Sequence, residues 1–510
     1  MAVFLIAFGM YGQMPGAGQG QATQAVQLPA SGRSAQSVGS VATQQTPTQS
    51  TGANVIQPSV MVTGSYQGSV PGQEPAAGTV TLSLVDAVRR GLEVNLGAVS
   101  AAISSGAAKD QTAQARSVLL PQISANLGAT ETQIDLAAYG LNTIFSSLPS
   151  SLAKGFSIPS VVGPFHYVQA EGIVNWNALN ITALRNWQVS KESERATRFN
   201  QRDARELIVL AVGGTYLQAA ADEAQVEAEK AQVGYAKAIY DQAVAELAAG
   251  TNARIDVMRT QVELQTEQER LNAFQGEYDQ QKISLARLIG IPLDRSLVLS
   301  EALEFKDTEG MDEMSLLRSA FDHRMDLKAA ESQLAAAKLA LSSARSERYP
   351  SVSFSGDYGA MGVDPTSTHG VFTASGSVNI PVWEGGRIKA DVDLAQQTMR
   401  QREAEYQDQK QRVEQDVRNA LIQLKTAIGQ VRLAQTNRQY ALETLNQARD
   451  RFAAGVTTSV EVVQAQQQES SAESDYINGL FAYNLARLTV ARATGAAETN
   501  LSSLFEGKHP

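Results

Sequence analysis

The chain has 510 residues and a net charge of −10, from 42 Lys plus Arg against 52 Asp plus Glu, with no long basic run, which excludes nucleic acid as a partner. It has no cysteine, so disulfides, thiolate metal sites and a Cys nucleophile are excluded, and His166, His323, His369 and His509 stand too far apart for a paired metal motif. No window of about 18 apolar residues exists, so a spanning α-helix is excluded, whereas a membrane β-barrel, whose strands alternate, is not.

In chain order, Met1–Met10 (MAVFLIAFGM) is the one solid apolar stretch and reads as the hydrophobic core of an export signal over residues 1–25. Residues 26–78 are rich in Gln, Ser, Gly and Thr, and six of the fifteen prolines precede residue 76. A segment with so little apolar surface cannot offset its ordering entropy, so disorder is expected there, with the fold beginning near Thr79.

A first structural repeat is expected over 79–290, a connector over 291–314, a second repeat over 315–497 and a tail over 498–510. Two proline-free stretches of near-equal length, 165–291 and 382–509, point to this duplication and to very long helices, because proline costs about 3 kcal/mol inside a helix. ELAAGTNARIDVM at 246–258 matches RFAAGVTTSVEVV at 451–463 with an offset of 205, and the same offset carries Gly290 onto Gly495. Residues 94–124 resemble 325–353, with Pro121 over Pro350. One unit is used twice.

Each repeat offers one hairpin. Strands are expected at about 121–131 and 167–177, and again at about 350–360 and 371–381, from alternation: Ile123, Ala125, Leu127 and Ala129; Val168, Ala170, Gly172, Val174 and Trp176; Val352, Phe354, Gly356 and Tyr358; Phe372, Ala374, Gly376, Val378 and Ile380. The opposite positions are polar, and the segments have about the 9–11 residues that cross a bilayer. Four strands cannot close a membrane barrel, for which about eight is the smallest known single-chain number, so the membrane reading implies an oligomer. The long helices are expected from about Asn180 to Ala249 and from about Gly385 to Ala454. Their seams step by three and four through Leu217, Ala220, Ala224, Ala228, Ala231, Tyr235 and Ala238, and through Val413, Val417, Ala420, Leu424, Ile428 and Val431.

The twofold repeat, the order helix, Pro, hairpin, long helix, Gly turn, helix, Gly, the IPVWEGGR run at 380–387 and the paired Ala-Ala-Gly turns together resemble the TolC-like outer-membrane efflux protein family over about residues 80–498. The resemblance implies a mainly α chain with a β-barrel portion: a homotrimer whose four strands per chain make a 12-stranded barrel, continued by a long α-helical barrel. It implies a passive duct of an efflux or secretion system in the outer membrane, reaching into the periplasm, with a periplasmic adaptor (membrane fusion) protein, an inner-membrane pump and outer-membrane lipid as partners.

The tip turns carry the site residues. The resemblance places Ala249, Gly250 and Thr251, in a turn at about 249–252, and Ala454, Gly455 and Val456, in a turn at about 454–457, at the periplasmic end as adaptor contacts. Asp256 and Glu461 each stand six residues beyond the turn glycine; the resemblance implies a carboxylate ring at a constriction for Glu461, while both acids equally suit a helix N-terminal turn. A Tyr and Arg latch known in the family falls on Phe452 and Thr457, neither of which can make a charged link, which leaves Arg254 as the candidate replacement cation.

No Ser/His/Asp set, P-loop or GxGxxG motif is present, so neither an enzyme nor a cofactor is expected. The alternative is a structural coiled-coil protein or adaptor of the cell envelope. It accounts for the helices but not for four apolar strand faces.

Overall fold

A computed structural model describes residues 40–50, 53–70, 78–136, 138, 160–250, 253–306 and 312–499. The expected export signal, and Thr251 of the first tip turn, lie outside the described residues. The chain divides into two compact units, one containing Ala113–Val189 and Lys338–Gln396, the other Pro29–Thr112, Ser190–Ala337 and Gln397–Pro510.

The elements repeat. Strands β1 (Val41–Ser50), β2 (Ala53–Val62) and β3 (Val80–Leu82) precede helices α1 (Leu84–Val94) and α2 (Leu96–Ser117), strands β4 (Gln122–Asp135) and β5 (Val161–Leu179), and helices α3 (Ile181–Ala248) and α4 (Arg254–Leu288). After β6 (Leu297–Leu299) come α5 (Glu313–His323), α6 (Met325–Ser346), β7 (Ser351–Gly362), β8 (His369–Asn379), α7 (Arg387–Ala453) and α8 (Ser459–Ala493). Matching helices have matching lengths: 22 residues for α2 and α6, 68 and 67 for α3 and α7, 35 for α4 and α8. At 1.5 Å per residue each long helix covers roughly 100 Å. The turn glycines Gly250, Gly290, Gly455 and Gly495 all take left-handed φ, from 70° to 75°, which an L side chain rarely adopts.

The unit that holds the hairpins is a four-stranded antiparallel sheet in the order β4-β5-β7-β8. Its register pairs Leu127 with Ala170, Ala170 with Ala360, Gly172 with Tyr358, and Tyr358 with Phe372, so the four alternating apolar sets fall in phase on one face. That face is open among the described residues: Leu127, Tyr358 and Phe372 are 82%, 74% and 76% exposed. The other face is polar, with Asn126 donating to Glu171 at 3.1 Å and the Ser353 and Ser377 hydroxyls 2.8 Å apart. Among the described residues β4 and β8 each pair on one side only.

The other unit packs its helices around two large apolar clusters and a small third one near the tip turns. One gathers Ile208, Val212 and Tyr216 of α3, Leu285 and Leu288 of α4, and Leu485 and Leu488 of α8; the second gathers Val413, Val417, Leu424 and Val431 of α7 with Leu480 and Tyr483 of α8. The α7 seam is buried from Val413 to Val431 at the expected spacing, with Ile428 partly buried. In α3 the seam holds only as far as Ala228. Ala231 and Ala238 are exposed, and the buried stripe passes instead through Glu229, Gln232, Ala236, Ile239 and Ala243. The expectation failed because it followed apolar residues only, whereas this stretch buries polar ones.

In the segment 26–78, expected to be disordered, most of the described residues carry secondary structure. β1 and β2 form an antiparallel hairpin from Val41–Val62 to Ser50–Ala53, and Tyr66 is buried. Val60 seats against Gly214, where a Cβ would stand 2.4 Å from the Val60 Cγ2. Ser69 donates to the Arg287 carbonyl at 2.5 Å. The segment has too few apolar residues to make a core of its own, but Val41, Val60, Val62 and Tyr66 add to one already formed by the helices. The connector also has structure, since β6 pairs in parallel with β3 and joins the entry to the first repeat to its exit.

Each repeat has a helix break at its start. Asn95, between α1 and α2, donates to the carbonyls of Tyr66 at 2.9 Å and Leu288 at 3.3 Å. Arg324, between α5 and α6, is buried and pairs with Asp326 at 2.5 Å and Asp416 at 2.7 Å. Nearby, Arg492 pairs with Asp203 at 2.5 Å, and Glu498, at the start of the expected C-terminal tail, is held by Arg205 at 2.5 Å.

Candidate functional site

The two tip turns are built by helix-ending chemistry. At the end of α7 the Gly455 amide donates to the Phe452 carbonyl at 2.9 Å and the Val456 amide to the Arg451 carbonyl at 2.9 Å, the paired bonds of a Schellman motif around a left-handed glycine. At the end of α3 the Ala249 and Gly250 amides donate to the carbonyls of Ala245 and Leu247, both at 3.0 Å. Nothing lies within 4 Å of a Cβ built on either turn glycine, so the need for glycine there is conformational. Val456 is exposed, as are Ile255, Met258 and Val262 along one side of α4, which leaves apolar surface at the tip without a partner among the described residues.

Each acid sits in the first turn of the helix that leaves its turn, where a negative charge complements the helix dipole. Glu461 is held at both oxygens: Arg451 Nη1 stands 2.7 Å from Oε1, and the Thr457 hydroxyl donates to Oε2. Asp256 Oδ1 accepts from Arg259 at 2.9 Å and from the Ser459 hydroxyl at 3.2 Å, which joins the first tip to the second. Phe452 packs against a small cluster of Ile239, Leu445, Ala448, Val462 and Ala465 that ties α3, α7 and α8 together behind the turns.

Of the residues named from sequence, Thr457 and Glu461 are brought together, and Asp256 is brought to the neighbouring tip. Arg254 is exposed at the start of α4 and makes no ion pair among the described residues; the cation on Glu461 is Arg451. Sequence reasoning missed Arg451, Arg259 and Ser459. Arg451 lies ten residues before its partner, a spacing that means contact only once the chain is known to reverse at Gly455. Among the described residues no three His, Asp or Glu side chains converge as a metal site requires, and no helix is long and apolar enough to cross a membrane.

Residues 174–291 and 316–496 match the family model for outer membrane efflux protein, and they make up more than half of the chain. The chain belongs to the outer membrane efflux protein family. Its localisation is therefore the outer membrane, and the family assignment sets aside a coiled-coil envelope spacer. The toluene efflux pump outer membrane protein TtgF of Pseudomonas putida is similar to this member at 22% identity over 404 residues, 76% of this chain and 78% of TtgF. Nodulation protein T of Rhizobium leguminosarum is similar at 22% identity over 57% of this chain and 61% of its own length. Among solved structures, the CmeC outer membrane channel of Campylobacter jejuni superposes with a TM-score of 0.69 at 18% identity, covering 85% of this chain and 92% of CmeC. The open-state MtrE channel of Neisseria gonorrhoeae gives 0.67 at 18% identity, covering 84% and 96%. The fold is thus that of TolC-like channels, mainly α with a β portion.

Proposed function

We propose that three copies of this efflux family member assemble into a passive outer-membrane channel that carries small molecules outward and transforms none of them. The observation that carries this reading is the sheet: four strands with one continuous apolar face and two edges unpaired among the described residues. A lone sheet of this kind is unstable in water and cannot span a bilayer, because open edges leave backbone groups unsatisfied. Three copies supply twelve strands, enough to close a barrel with the apolar face toward lipid and the polar face inward. Several of the relatives carry efflux names, the toluene efflux protein TtgF among them, which supports export of organic solutes.

The tip turns are the proposed docking point for a periplasmic adaptor that links the channel to an inner-membrane pump. The exposed apolar row Ile255, Met258 and Val262, with Val456, supports this. Glu461 is proposed to line the aperture, as a carboxylate that Arg451 partly neutralises. Planar-bilayer conductance of the purified protein, alongside its mass in detergent, is the test. A trimer that gives discrete cation-preferring conductance supports the channel, and a monomer that remains soluble without detergent and never inserts overturns it.

A further inference from the structure

The polar stripe of α3 buries acids that the channel reading does not use. Glu229 is 2% exposed, and Glu267 on the antiparallel helix α4 is fully buried. Their carboxyl groups lie within hydrogen-bonding reach of each other. Two ionised carboxylates only accept hydrogen bonds, so this contact needs a proton on one of them.

The surroundings supply few donors. Arg270, 3.2 Å from Glu267, is the cation on the pair, and its side chain is 45% exposed. Also on α4, Glu263 accepts from Gln467 of α8 at 3.3 Å. From α8, Gln466 donates to the Gln232 carbonyl at 3.3 Å, and Glu469 accepts from Gln232. Glu473 of α8 is paired with Arg438 of α7. After these bonds, Glu229 Oε1, Gln232 Oε1 and Gln466 Oε1 are buried acceptors with no donor among the described residues. A carboxylate left ionised among orphaned acceptors is costly, and protonation removes the charge and supplies the missing donor.

We propose that Glu229 holds a proton against Glu267 at neutral pH, and that this proton clasps α3 to α4 nineteen residues before the end of α3 and releases them as the surroundings become alkaline. Burial first, then the neighbouring Glu267, pushes the Glu229 carboxyl from the ordinary 4.5 up to about 8. The closed coil therefore keeps a proton that a loosened, solvated coil gives up. Between these two values the loosening equilibrium grows by up to about tenfold per pH unit, and above the higher value it levels off. The bearing of the clasp on channel opening rests on the reading above, whereas the proton itself does not.

The chain has no native cysteine, so Lys237→Cys and Gln261→Cys place a spin-label pair on exposed positions of α3 and α4 in the full-length protein. The expected result is a sharp distance distribution at pH 6 that gains a second, broader population by pH 9. Glu229→Gln, which mimics the protonated acid, keeps the sharp distribution at both pH values. In parallel, an infrared carbonyl band of a protonated carboxyl is present at pH 7 and absent in Glu229→Gln. If that band is missing from the unsubstituted protein, the proton on Glu229 is overturned. If the band is present but the two proteins show the same pH response, the clasp is overturned.

Discussion

Asn95 and Arg324 stand 229 residues apart at one position of the duplicated unit, and each closes the same helix break with different partners. The Asn95 backbone lies at φ −63°, ψ 134° and its amide donates to Gly91; the Arg324 backbone lies at φ −62°, ψ 122° and its amide donates to Ala320. Asn95 secures two carbonyls, whereas Arg324 secures two carboxylates. Burial alone raises the Asp326 carboxyl, but the hydrogen bonds and charge of Arg324 outweigh it and hold that group below the usual range.

Removal of Arg324 is expected to cost more than removal of Asn95. Arg324→Ala leaves the largely buried Asp326 without its main cation, a change that typically costs up to about 3–5 kcal/mol, while Asn95→Ala leaves two carbonyls short of a donor at roughly 1–3 kcal/mol. Thermal midpoints in detergent, measured on both variants, check the order. Asp326 is depressed in the folded state, so its contribution is complete above the unfolded value of about 3.9 and is lost as pH falls through the folded value. The unsubstituted protein is therefore expected to lose part of the Arg324 advantage only in strong acid.

At the tip, Glu461→Ala is expected to raise single-channel conductance and weaken cation preference, and Arg451→Ala to strengthen that preference by leaving the carboxylate uncompensated. Both side chains of the pair are about half exposed, so stability should change by less than about 1 kcal/mol. Reversal potentials in a salt gradient separate the two effects. Equal selectivity in all three proteins would place Glu461 away from the ion path.

Turn glycines should differ by their surroundings. Gly455→Ala meets open space and carries only the strain of a left-handed residue, about 1–2 kcal/mol. Gly495→Ala carries the same strain and in addition sets its Cβ 3.0 Å from the Arg324 backbone nitrogen. The larger fall in thermal midpoint is expected for Gly495→Ala, although the two glycines share their φ to within a few degrees.

Phe372→Arg tests the face of the sheet. An arginine on a lipid-facing strand position costs about 2–4 kcal/mol near the bilayer centre. The fraction of protein recovered as membrane-inserted oligomer should fall sharply, while Ser375→Arg, on the polar face of the same strand, should insert normally.

The duplication and the hairpins were legible because each leaves a one-dimensional trace: proline-free lengths, a constant offset to the turn glycines, and period-two alternation. Register then follows with little further information, since Leu127, Ala170, Ala360 and Gly370 lie along one cross-strand row and any one-residue slip would turn an apolar set to the polar face. What composition concealed was structure that borrows its stability. The β1–β2 hairpin looks disordered because its core belongs to α3 and α8, and β3 with β6 is too short to signal by periodicity. At the tip, Glu461 and Thr457 could be named from a resemblance, but Arg451 and Ser459 become partners only through chain reversal. The buried Glu229 escaped for the opposite reason, as a polar residue where a seam search admits only apolar ones.

The Asp256–Ser459 hydrogen bond has a mechanical corollary. It links the start of α4 to the start of α8, with Phe452 and its neighbours packed behind, so the two turns of one chain are expected to move together. In the proposed assembly of three chains the mouth would then have three moving parts rather than six. Its partial openings should come in thirds, and Ser459→Ala, which removes this bond together with the longer one from Arg259 to the same hydroxyl at 3.5 Å, should split each third into two smaller steps.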